Sequence, residues 1–191
     1  MKTLPKIPTT IAVFAISVAI LLIRLFSNQL YIYWQYWLPI GLWICGGGLG
    51  YMVLYADRLV DLYFANPDTE LAYYVKAYFA KKQFKKGWQL LMYNKRLQKH
   101  LTFRSALFQV VWVLLAFFTI SSTSSLFGKG FVLGLGLHLL LDEWQDFVSN
   151  KDYLRTWLFW QINKTISDQE LQIYLIVMTV INVLFFIKTI Y

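Results

Sequence analysis

The stretch Phe131-Val-Leu-Gly-Leu-Gly-Leu-His138-Leu-Leu-Leu-Asp142-Glu-Trp-Gln-Asp146 decides how this chain is read. Its first half is apolar enough for a membrane, and its second half carries three acids. The segment 127–147 around it either crosses a bilayer or enters and returns, and the span count turns on that choice. Composition supplies the setting. Of 191 residues, 58% are hydrophobic and 15% charged, whereas soluble domains average roughly 45–50% apolar and about 25% charged. So few charges do not coat a globule, and so apolar a chain is not disordered. The one cysteine, Cys45, excludes a disulfide scaffold. A polytopic membrane protein remains.

A crossing helix needs about 20 mostly apolar residues. The runs 10–26, 38–55, 105–120 and 171–187 fit or nearly fit. Tyr31, Tyr33, Trp34, Tyr36 and Trp37 precede the second run, where amphipathic rings suit the water boundary. With 127–147 spanning, the chain is predicted to be all-α with five transmembrane helices; the alternative is four plus a re-entrant segment. The short turn 121–130 and the glycines Gly130, Gly134 and Gly136 favour spanning. Lys2 and Lys6, with no small-x-small cleavage site after the first run, predict a retained anchor and a cytoplasmic N-terminus.

Segment 57–104 holds ten of the eighteen Lys and Arg residues against four acids. By the positive-inside rule it is a cytoplasmic insertion between the second and third spans of a single membrane domain, 1–191. Tyr74, Tyr78, Trp88, Leu91 and Met92 recur at helical spacing with lysines between, and Gly87 is expected to split this amphipathic stretch into two helices. Lys81, Lys82, Lys85 and Lys86 are the candidates for contact with anionic lipid headgroups or a protein partner, a second copy of the chain included. Residues 153–162 read as a second interfacial helix. No nucleic-acid partner is expected, because no recognisable binding signature accompanies the basic residues.

Ionisable residues near a membrane mark the place to look for chemistry. His138, Asp142 and Asp146 share one helical face at i, i+4 and i+8, while Glu143 points elsewhere. Asp57 and Asp61 form a second i, i+4 pair at the end of the second run. Arg104 opens the third run at the same level and is expected opposite Asp146, one to two turns from Asp142. Gly46 and Gly50, and Gly130 and Gly134, are GxxxG pairs that let helix backbones approach. Three readings are open. Arg104 and Asp146 belong to an ion-pair network; or His138, Asp142, Asp57 and Asp61 ligate a divalent metal; or the acids relay protons or ions. No nucleophile elbow and no phosphate-binding loop is present. No cofactor is expected beyond that candidate metal.

The glycine-rich run ending His138-Leu-Leu-Leu-Asp142 resembles the S-H-x-x-x-D span of the membrane-bound metal-dependent hydrolases, also described as LexA-binding, inner-membrane-associated hydrolases. That family has a G-H-R-G-x-T-H-S motif at the start of the preceding span, where this chain reads His100-Leu-Thr-Phe-Arg104-Ser105-Ala-Leu. Asp57 and Asp61 hold a place comparable to the family's D-x-D-H. The resemblance covers roughly 50–165 and implies an intramembrane metal-dependent hydrolase with His138 and Asp142 as ligands. Arg104 stands where the family has a histidine, and no histidine follows Asp61. The chain is therefore expected to be a degenerate relative in which Arg104 supplies the positive charge of the metal. The leading expectation is a small, non-enzymatic inner-membrane scaffold or accessory protein; the alternatives are the hydrolase and a proton or ion transporter.

Overall fold

A computed structural model describes residues 34–163 and 165–190, with six isolated helical positions before them: Ala12, Ala15, Ile16, Ala19, Ile20 and Ile23. The expected first span, 10–26, lies outside the described residues apart from those six, and so do Lys2, Lys6, Tyr31 and Tyr33. The described chain is all-helical, with seven α-helices. They are α1 (Trp34–Val60), α2 (Glu70–Ala80), α3 (Phe84–Tyr93), α4 (Ala106–Ser122), α5 (Leu126–Ser149), α6 (Lys151–Leu158) and α7 (Asp168–Ile190).

Local chemistry sets the helix starts. Thr69, Ser105, Ser125 and Asn150 cap α2, α4, α5 and α6, each side chain accepting a backbone N–H of the first turn. Ser167 and Glu170 form a reciprocal capping box at the start of α7: Glu170 N–H donates to Ser167 Oγ and Ser167 N–H to Glu170 Oε2. At its far end α1 widens into a π-turn, Asp61–Ala65, and Pro67 then prevents the helix from continuing.

The α2–α3 break is not at Gly87. It lies at Lys81–Gln83, where Lys82 adopts φ 55°. There Lys82 N–H donates to Phe79 O and Gln83 N–H to Tyr78 O, both at 2.9 Å, the pair of bonds that closes a Schellman motif. Gly87 sits buried inside α3, where an added Cβ would lie 2.5 Å from the Phe79 ring. Its small size brings α3 onto α2.

Helices α1, α4, α5 and α7 form a bundle with α5 at its centre. Gly46 and Gly50 of α1 lie against the Phe127 and Phe131 carbonyls of α5; Gly130 and Gly134 of α5 lie against the Trp43 and Gly47 carbonyls. The residue order shows that α1 and α5 run parallel. Helix α4 is the antiparallel arm of a hairpin with α5, and α7 runs alongside α4, with Tyr174 on Gln109 and Lys188 over Phe117. The main core joins Trp43, Leu54, Trp112, Leu133, Leu139 and Phe185. Two smaller cores seat α6 against the starts of α4 and α7, and α2–α3 against the end of α1.

The five-span expectation is corrected by this arrangement. Among the described residues only Trp37–Ala65 and Asp168–Thr189 are long and apolar enough to cross a membrane. Helix α4 has 17 residues and rises about 25 Å, short of the ~30 Å hydrocarbon core. The segment expected to span or to re-enter is one continuous helix of 24 residues, α5. It carries Lys129, Asp142, Glu143 and Asp146 and is enclosed mostly by protein. The two long helices are different: only 33% and 28% of their most apolar windows is buried inside the protein.

Candidate functional site

Ionisable and amide side chains converge where the end of α1, the second half of α5 and the segment leading into α4 meet. Asp57, Arg58, Asp61, Gln98, Arg104, Gln109, His138, Asp142, Glu143 and Asp146 are all buried. Groups with that chemistry are normally exposed, so each needs a partner.

Arg104 is held at the end of the 3-10 turn Thr102–Arg104, and its guanidinium is 2% exposed. It forms an ion pair with Asp142 and donates to the Leu54 carbonyl at 3.3 Å. The sequence placed Arg104 opposite Asp146; the structure pairs it one helical turn earlier. Asp146 instead takes Lys95 at 2.9 Å and the Trp157 indole N–H at 3.2 Å. Burial, then the nearby Arg58, pull the Arg104 guanidinium down to about 9, while Asp57, Tyr153 and Asp146 oppose that shift. It remains charged at neutral pH.

His138 stacks on Tyr51 with ring centroids 4.0 Å apart. Its Nδ1 lies 2.6 Å from the Tyr51 carbonyl oxygen. A carbonyl only accepts, so the hydrogen is assigned to Nδ1. Nε2 then faces Asp142 at 3.4 Å. The other acids are engaged on their own side of the cluster. Asp57 accepts the Phe103 N–H at 3.1 Å. Asp61 accepts Asn66 at 2.6 Å and Gln98 at 2.8 Å. Gln98 also joins Arg58, accepting from its guanidinium at 3.1 Å and donating to its carbonyl at 2.9 Å. The Tyr153 phenol, raised by burial, stays protonated and donates to the Lys95 carbonyl at 2.7 Å.

The candidate metal ligands His138, Asp142, Asp57 and Asp61 are not gathered at one point. Arg104 occupies Asp142, and Asp57 and Asp61 are bound to donors elsewhere. Among the described residues no group of three or more His, Cys, Asp or Glu side chains converges. His100 stays at the surface against the Trp160 ring, centroids 5.1 Å apart. Lys81, Lys82, Lys85 and Lys86 lie exposed around the α2–α3 turn.

Sequence reading passed over Gln98, Gln109 and Lys95, and it set Glu143 aside. For Gln109 the signal was available: it is the only amide in an otherwise apolar run, and a polar group there needs a partner. Gln98 and Lys95 carry no such signal, since they sit in a segment rich in polar residues. Compared with models of protein families, with curated proteins and with solved structures, the chain matches none.

Proposed function

We propose that this chain is a non-enzymatic scaffold of an inner membrane, crossed by α1 and α7, whose basic α2–α3 hairpin holds anionic phospholipid headgroups. One observation carries the reading: charge is inside and apolar surface is outside. Leu49 and Met52 on α1, Leu114 on α4, and Val180 and Leu184 on α7 are about half exposed or more, while the bundle interior holds the Arg104–Asp142 pair. Water gives no reason for that inversion; lipid does.

Orientation follows from charge. The basic segment 57–104 belongs on the cytoplasmic side. At that end exposed Tyr63, Phe64, Tyr73 and Tyr93 stand among the lysines, and Lys76 lies over the Tyr63 ring at 5.3 Å. Aromatic and basic side chains together suit a headgroup layer. In relation to the hydrolases it resembles, the chain is a degenerate relative in which Arg104 takes the place of the metal's charge. The buried pair then holds the helix ends together.

The test is topological. The chain should stay with membranes through an alkaline carbonate wash. A cysteine placed at Lys85, in a Cys45→Ser background, should react with an impermeant maleimide in inverted vesicles only. Release by carbonate, or labelling from outside sealed cells, overturns the reading. Native mass spectrometry then tests the headgroups: phosphatidylglycerol adducts should exceed phosphatidylcholine adducts and fall when the four lysines become glutamine.

A further inference from the structure

We propose that Glu143 is a buried proton-binding site, a carboxylic acid that keeps its proton at neutral pH and ties α5 to α4 through Gln109. The inference is independent of where lipid binds.

Glu143 differs from the acids around it. Asp142 has Arg104, Asp146 has Lys95, Asp61 has two amide donors, and Asp57 has a backbone N–H. Glu143 is the most buried of them, at 0% exposure. Its Oε1 accepts from Gln109 Nε2 at 2.5 Å, and its Oε2 has no hydrogen-bond partner among the described residues. Gln109 is neutral, and its amide also donates to the Arg104 carbonyl at 3.1 Å.

The groups packed around Glu143 do not supply a positive charge. From α4 comes Gln109. From α7 comes Tyr174, whose hydroxyl donates to Gln109 Oε1 at 2.7 Å. On α5 itself Asp142 and Asp146 are negative; of the cations in this region Arg104 and Lys95 are taken by them, and Arg58 donates to Gln98. Ionised, Glu143 would be a desolvated anion with one shared neutral donor, and a carboxyl so placed takes up a proton instead. The Arg104 carbonyl only accepts, so it fixes the Gln109 amide with Nε2 toward Glu143; Gln109 therefore offers Glu143 a donor and the proton belongs on Oε2.

Infrared spectroscopy tests this on the whole protein in detergent. The chain has three glutamates; Glu70 is exposed and Glu170 is hydrogen-bonded at the start of α7. With 13C-labelled glutamate, the wild type at pH 7 should show one isotope-shifted band of a protonated carboxyl, which E143Q lacks. The band should disappear as the pH is raised well above neutral. Glutamate bands of the ionised form alone at pH 7 overturn the proposal, using the wild type only. E143Q, the neutral isostere, should fold and match or exceed the wild type's melting temperature at pH 7. The advantage of E143Q should grow as pH rises from about 5, because the unfolded carboxyl ionises there while the folded one does not. A variant that melts far lower, or an advantage that shrinks with pH, counts against the proposal.

Discussion

At the residue scale, the Arg104–Asp142 pair is the point on which the cluster depends. Taking two charges out of water is costly, and removing one partner leaves the other uncompensated. Arg104→Ala should therefore lower stability by about 3–5 kcal/mol, read as a fall in melting temperature of the detergent-purified protein. Replacing both partners, Arg104→Met with Asp142→Leu, should recover most of the loss, because a buried pair and a well-packed apolar pair differ little in net energy. If the single substitution leaves the melting temperature unchanged, the guanidinium is not bearing on Asp142. Spacing made part of this cluster legible: i, i+4 puts His138 beside Asp142 on any helix. Spacing does not say which cation each acid receives. Lys95 and Asp146 are 51 residues apart in the chain, and only the path of the α3–α4 connection brings them together.

At the element scale, glycines divide by what stands in front of them. A Cβ at Gly46 would run into the Phe127 carbonyl, and one at Gly134 into that of Gly47. Backbone does not give way as a flexible side chain does, so Gly46→Ala or Gly134→Ala should cost on the order of 1–3 kcal/mol. Gly48 has nothing within 4 Å of its Cβ position. Gly48→Ala should be neutral or stabilising by up to about 1 kcal/mol, the helix-propensity difference. Equal melting temperatures for Gly46→Ala and Gly48→Ala would refute the close α1–α5 seam. A second contrast concerns Lys82. Its left-handed backbone is strained for any residue with a Cβ, so Lys82→Gly should stabilise the α2–α3 turn by about 1 kcal/mol. The GxxxG spacing was legible in the sequence as close packing, although the partner of each pair was not. The α2–α3 break was misread because glycine in a helical pattern marks either a stop or a close contact, and only the Phe79 ring distinguishes them here.

At the scale of the whole molecule, the helical class was legible and the number of crossings was not. Hydropathy registers how apolar a helix is, but not whether protein or lipid covers it. Helix α5 mixes apolar residues with acids because its neighbours enclose it, and α7 carries no charge between Leu171 and Ile187 because much of it is not enclosed. A charge on the outer face of α7 tests that distinction. Val180→Arg should oppose insertion by about 2.5–3.5 kcal/mol and shift part of the chain out of the membrane fraction, measured by carbonate extraction. Unchanged recovery in the membrane would mean that this face meets protein instead of lipid. The parallel α1–α5 seam also bears on time. Helix α1 ends at Val60 and α5 at Ser149, so at about 5–20 residues per second the roughly ninety residues between them take several seconds to synthesise. Through that interval the glycine face of the nascent α1 lacks its α5 partner. The newborn chain is therefore most exposed to proteases and to wrong helix partners before its second half leaves the ribosome.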